Sequence, residues 1–178
     1  MITITNQIKL KALSKVDYTV LYNLMCEIYP PAYKHFWKDK GDFYVNSQYS
    51  KTNFLKELSQ ENTSYYFILF NDEIIGNFRI IWDLKLQGLS EAKQVKLHRI
   101  YLHKKAQDKG IGKQLLSWLE AKAREKKYKI IWLDTMDAQP QAFQFYKKLG
   151  YKYHSHTFLD FELMFDKVRK MTQVYKEL

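Results

Sequence analysis

The run Gln107-Asp108-Lys109-Gly110-Ile111-Gly112 is where residue types and spacing first suggest chemistry. It lies between a strand-like segment and a helical one, and its two glycines let the backbone come close to a ligand. At the opening of a helix, unpaired N–H groups and the positive end of the dipole together favour phosphate. The plainer reading is a tight strand-to-helix turn. The surroundings suit a polyanion: between Arg99 and Lys129 ten Lys or Arg stand against three acidic residues, a local excess of seven. Such a stripe fits a small polyanion, an acidic surface or nucleic acid, although charge runs also simply solvate a helix face. A second cluster, Gln139 to Tyr151, sets three residues between Tyr146 and Gly150, the glycine that ends its helix.

These residues need a frame, and apolar periodicity supplies one. Gln7 to Leu13 alternates weakly as a first strand. Ser14 and Asp17 form a capping box for a helix with the stripe Val16, Val20, Leu24 and Ile28, which Pro30 and Pro31 stop. An aromatic-rich stretch from Tyr33 to Tyr49 follows, then a helix over Thr52 to Ser59. Tyr65 to Phe70 and Ile74 to Trp82 flank a short polar turn and read as a hairpin. In the next strand, Val95 to His103, the apolar positions change parity between Leu97 and Ile100. A β-bulge produces such a shift, and it belongs at His98 and Arg99. The helix opened by Gly110-Ile111-Gly112 has Ile111, Leu115, Trp118 or Leu119, and Ala123 on its apolar face. Ile130 to Leu133 is a buried strand, and Pro140 to Leu149 a helix with Pro at its first position and Gly150 just past its end. Tyr151 to Phe158 and Phe161 to Val168 read as two closing strands. This order predicts an α/β (α+β) fold: a mixed, mostly antiparallel sheet, flanked by helices, with a central parallel strand pair joined by a right-handed crossover.

With 178 residues, 46% hydrophobic and 16% aromatic, the chain is expected to bury the core of a single domain spanning 1–178, and no repeat or Gly/Ser linker divides it. The lone cysteine, Cys26, has no intrachain disulfide partner and is expected to pack in the first helix. Met1 to Lys15 lacks an apolar signal core, and the longest apolar run, Tyr65 to Phe70, falls far short of the ~18 residues of a membrane span. A cytoplasmic location is the expectation.

Strand, Gln-x-x-Gly-x-Gly, helix, strand, then Ala142-x-x-x-Tyr146-x-x-x-Gly150-Tyr151 together resemble the GNAT superfamily of acyl-CoA-dependent N-acetyltransferases. Within it, His98-Arg99-Ile100-Tyr101-Leu102, Ile131-Trp132-Leu133 and Phe145-Tyr146-Lys147-Lys148 look most like the bacterial polyamine acetyltransferases. The resemblance implies acetyl transfer from acetyl-CoA to a primary amine by direct attack in a ternary complex, with no metal. It implies that the backbone of Ile100 and Leu102, on either side of Tyr101, bonds the pantetheine arm as a further strand would. Lys109, Gly110, Ile111, Gly112 and Lys113, with Gln107 and Asp108 ahead of them, would cradle the pyrophosphate. Tyr146 would protonate the departing thiolate, a task suited to a phenol of ordinary pKa about 10. Lys148 would face the 3′-phosphate. Gln139 stands where the family most often has asparagine, and His98 where many members have glutamate. An imidazole, with a pKa near 6.5, can still serve as base, directly or through water. The plain alternatives are a half-buried helix tyrosine, an exposed helix lysine and a strand histidine paired with a neighbour.

The implied partner is a small-molecule or peptide amine, with no membrane, and the protein a monomer or homodimer. A polyamine would need several carboxylates, for which Glu27, Asp39, Asp42, Asp83, Asp160 and Glu162 are available, and the net charge of +10 repels a polycation at long range. Two other readings stay open. One is a non-catalytic acyl-CoA-binding module of the same fold, since the usual acidic base is missing. The other is a nucleic-acid-binding protein, which is disfavoured because the lysines surround the cofactor turn and no recognition motif accompanies them.

Overall fold

The computed structural model describes residues Met1–Leu178. Its frame is one eight-stranded sheet built from β1 (Ile2–Thr3), β2 (Ile8–Ala12), β3 (Thr63–Phe70), β4 (Glu73–Trp82), β5 (Gln94–Leu102), β6 (Ile130–Met136), β7 (Lys152–Phe158) and β8 (Lys170–Glu177). The spatial order is β1-β2-β3-β4-β5-β6-β8-β7. Only β5 and β6 run parallel, and the crossover helix α4 (Ile111–Glu125) joins them. Four other helices complete the chain: α1 (Tyr18–Tyr33), α2 (Asp42–Gln48), α3 (Lys51–Ser59) and α5 (Pro140–Lys148). This is the mixed, mostly antiparallel sheet with one parallel pair that the order of elements predicts.

Each face of the sheet has its own core. Alternation along β3 sends Tyr65, Phe67 and Leu69 to one face and Ile68 to the other. The α4/α5 face buries twenty residues, sixteen of them aliphatic, including Leu115, Leu119, Ile131 and Leu133. The α1–α3 face buries sixteen, of which seven are aromatic, including Tyr29, Trp37, Tyr49 and Tyr65.

Several elements differ from the expectation. Helix α1 runs past Pro30 and Pro31 to Tyr33 because both prolines sit in its last turn, where few later bonds depend on them, and Lys34 N–H still reaches the Pro30 carbonyl. Its buried stripe is Leu21, Leu24, Met25 and Ile28, whereas Val16 and Val20 are exposed. The Ser14–Asp17 contact closes a short 3-10 turn, and α1 begins only at Tyr18. Cys26 lies off that stripe and is exposed rather than packed. Within the aromatic stretch the Asp39 carboxylate accepts the N–H groups of Gly41 and Phe43, at 3.1 and 2.5 Å, and so starts α2. Phe161 to Val168 is not a strand: Met164 makes a single bridge with Trp37, and Asp166–Val168 is a 3-10 turn. The last strand is β8 instead, inserted between β6 and β7. Its only buried residues are Thr172 and Val174, so pairing on both edges makes this polar segment a strand.

Candidate active site

Strand β5 carries a bulge where its pairing with β4 passes from Arg79↔Arg99 to Ile80↔Leu97, leaving His98 as the extra residue. The extra residue explains the parity change. Val95 and Leu97 before it, and Ile100 and Leu102 after it, all meet the α4/α5 core, while Arg99 and Tyr101 face α1–α3. Parallel pairing with β6 ends at Leu97↔Leu133, and from Asp134 to Met136 β6 pairs with β8 alone. The two strands therefore part beyond the bulge. His103 N–H bonds the Ile75 carbonyl at 2.7 Å, which fixes the antiparallel alternation: Arg99 and Tyr101 turn their backbone groups toward β4, and Ile100 and Leu102 turn theirs into the gap. One of these is partly engaged, because Gln107 Nε2 donates to the Leu102 carbonyl at 3.2 Å.

At the end of the gap Asp108 and Gly110 take positive φ, +60° and +72°, and turn the chain into α4. The first bond into the turn runs from Gln114 N–H to the Gly110 carbonyl, so Ile111, Gly112 and Lys113 open the helix with unclaimed N–H groups. A Cβ on Gly112 would stand 3.3 Å from the tip of the Phe145 ring, so α4 and α5 meet closely there. Lys109 and Lys113 are exposed beside the turn, Lys109 with its ammonium 5.2 Å from the Phe70 ring centroid.

Helix α5 supplies Tyr146, which is buried against Phe145 and Tyr151 and lines the cleft between the parted strands. Burial, with Tyr33 nearby, raises its pKa well above the ordinary phenol value, so it stays protonated at neutral pH. Gln139 does not simply point at the gap: its Nε2 donates to the Ala32 carbonyl at 3.0 Å and ties the start of α5 to the end of α1. Lys148 is exposed on α5.

His98 lines the same cleft, but its setting is wrong for a base. Its Nδ1 lies 2.7 Å from an Arg79 guanidinium nitrogen. Burial first, then the charges of Arg99, Arg79 and Lys96, push its pKa down to about 2. An imidazole held neutral so strongly is a poor acceptor for the proton of an ammonium, and this corrects the expectation of an ordinary histidine base.

Behind His98 lies a buried charge cluster that no motif announces. Glu57 of α3 pairs with Arg99 at 2.5 Å and with Arg79 at 3.5 Å; Arg79 also donates to Gln60, and Arg99 to the Tyr65 hydroxyl. Arg99 is thus an interior residue and not part of a basic surface stripe. Farther along the sheet Lys96 pairs with Asp134 at 2.6 Å. A charged residue inside an apolar strand run, Arg79 within Ile74 to Trp82 or Asp134 after Ile130 to Leu133, was the signal available in the sequence. The cleft itself is about 350 Å³, walled by Tyr29, Tyr33, Phe36, Tyr44, Tyr101 and Phe161. None of Glu27, Asp39, Asp42, Asp83, Asp160 and Glu162 lines it: Asp39 caps α2, Asp83 pairs with Lys93, and Asp160 with Arg169.

The sequence profile of the acetyltransferase (GNAT) family matches residues 21–151, about three quarters of the chain. An uncharacterized N-acetyltransferase encoded in the pepI 3′ region of Lactobacillus delbrueckii subsp. lactis is 28% identical over 104 residues, 58% of this chain. The chain spans 60% of the length of that curated relative. Among solved structures, the PaiA N-acetyltransferase of Thermoplasma acidophilum in complex with coenzyme A superposes with a TM-score of 0.71 at 19% identity, over 96% of this chain and 99% of that one. A spermidine N-acetyltransferase of Vibrio cholerae gives a TM-score of 0.64 at 15% identity, over 97% and 95% of the two chains. At these identities the two structures speak for the fold.

Proposed function

The chain belongs to the acetyltransferase (GNAT) family, and on that premise we propose that it transfers an acetyl group from acetyl-CoA to a primary amine by direct attack in a ternary complex. The observation that carries this reading is the gap between β5 and β6, which presents the backbone of Ile100 and Leu102 along one edge, leads to the N-terminus of α4, and has Tyr146 on its wall. The donor set suits the cosubstrate: strand-edge groups, of which the Leu102 carbonyl is engaged by Gln107, for the amides of a pantetheine arm, and free N–H groups at Ile111, Gly112 and Lys113, with Lys109 beside them, for a pyrophosphate. Gln107 and Asp108 shape the approach to that turn, Tyr101 holds its strand against the aromatic wall, and Gln139 and Lys148 flank the other side on α5.

In the reaction the free amine attacks the thioester carbonyl; the new N–C bond forms, the C–S bond breaks, and Tyr146 gives its proton to the leaving sulfur. The proton that the attacking nitrogen loses reprotonates the Tyr146 phenolate through solvent, so amide and coenzyme A thiol are the products, and an acceptor that arrives as the ammonium first releases one proton to solvent. His98 is a positioning residue, holding Arg79 with its neutral ring. The test is calorimetry with acetyl-CoA together with coenzyme A release over a panel of amines. Binding of one acetyl-CoA per chain and amine-dependent release are the expected results; no heat at millimolar acetyl-CoA overturns the reading.

A further inference from the structure

The acceptor half of the cleft has a charge imbalance that motif reading does not supply. Around His98 stand three cations, Arg79, Arg99 and Lys96, and two carboxylates, Glu57 and Asp134. Lys96 and Asp134 neutralise each other, and Glu57 serves both arginines. One positive charge is left over beside an aromatic cleft, and the burial of both arginines leaves it weakly screened by solvent. Arg79 is sealed, with its Nε buried and unpartnered, while Arg99 spends Nη1 on Glu57 and Tyr65 and lines the cleft. Asp134 stands one residue past the last paired rung of β5 and β6, and its Oδ1 is buried with no partner. The cleft thus offers an acceptor oxygen where the strands part and, farther in, Arg99, the cleft-lining member of an arginine pair that shares a single carboxylate, between walls of tyrosine and phenylalanine.

Resting on the acetyl-transfer reading, we infer that the acceptor is an amine that also carries a carboxylate, of the amino-acid class, with an apolar body against the aromatic wall. Its carboxylate faces Arg99 and offsets the excess charge of the Arg79–Arg99–Glu57 cluster; its amine lies toward the free Oδ1 of Asp134. A polyamine meets the opposite arrangement. Asp134, the only carboxylate lining the cleft, can take one amine at its free Oδ1, and the second ammonium would then face Arg99 with no carboxylate left to meet it. A small cleft lined by a few convergent polar groups favours one compact acceptor over a long polycation.

The experiment compares matched acceptors on the wild-type protein: phenylalanine against phenethylamine, leucine against 3-methylbutylamine, and spermidine, each read as kcat/KM by coenzyme A release. The amino acid of at least one pair is expected to exceed its decarboxylated partner by about 10- to 100-fold, the range of one charge-assisted hydrogen bond, and to exceed spermidine. Arg99→Gln should bring the ratio toward one while acetyl-CoA affinity is kept, a change that a merely structural arginine would not produce. Should the variant fail to fold, the wild-type ratios decide. Should no amine be turned over, the affinities of N-acetylphenylalanine and N-acetylphenethylamine in the presence of coenzyme A are compared instead. Decarboxylated amines or spermidine equal to or better than the amino acids, in either measurement, overturn the inference while leaving acetyl transfer intact. Absence of acetyl-CoA binding strikes the transfer reading itself.

Discussion

The two faces of the sheet contrast in composition and in task. The α4/α5 side is largely aliphatic, and its part of the site is mostly main chain: strand edges at Ile100 and Leu102 and the opening turn of α4. The α1–α3 side is aromatic and holds Arg79, Arg99 and Glu57 in its interior, and its part of the site is entirely side chain. Backbone donors suit a cosubstrate that never changes, since they depend on the fold and not on the identity of most residues. Side chains suit the variable partner, because one substitution alters charge or volume without moving the sheet.

Tyr146, on the seam between the two sides, gives the largest expected effect. Tyr146→Phe removes one hydroxyl, so kcat should fall by about 10²–10⁴ while acetyl-CoA affinity holds. Near-normal steady-state rates would make the residue a packing aromatic and leave the leaving thiolate to solvent. Next in size is a paired stability comparison by chemical denaturation. Glu57→Gln leaves two buried guanidinium groups facing each other and should cost about 3–5 kcal/mol. Leu115→Ala, in the aliphatic core, should cost about 2–5 kcal/mol through lost burial and a cavity. If raising the salt concentration changes both losses equally, the faces do not differ in how charge supports them.

Gly112→Glu should weaken acetyl-CoA binding about 100-fold by setting negative charge at the phosphate turn, and Gly112→Ala much less, because only its Cβ meets the Phe145 ring. Equal affinities of the two variants by calorimetry would place the phosphates elsewhere. The smallest effect concerns His98. Its pKa is near 2 in the folded chain and about 6.5 unfolded, so between those values only the unfolded chain takes up the proton and stability falls as pH drops below 6.5. Each pH unit removes at most about 1.4 kcal/mol. His98→Gln should flatten the stability profile between pH 5 and 6.5, and should leave any rising limb of kcat/KM with pH in place. Loss of that limb in the variant would restore His98 as the base.

Sequence periodicity alone determined strands β2 to β7, the single parallel crossover and the bulge at His98 and Arg99, because each is a local pattern of alternation, glycine and apolar spacing. The glycine turn that opens α4 was legible for the same reason: Gly110 takes a positive φ, and Gly112 lies where two helices nearly touch. Tertiary structure alone decided what those patterns leave free. Strand β8 exists through its two neighbours and not through its own residues, and Cys26 is exposed because the face that α1 turns to the sheet carries Leu21, Leu24, Met25, Ile28 and Tyr29. Arg79, Arg99, Glu57 and His98 come from three elements, and only their convergence makes a buried cluster with excess positive charge. A histidine's basicity is set by the charges packed around it and by the water they displace, and no spacing along the chain records either.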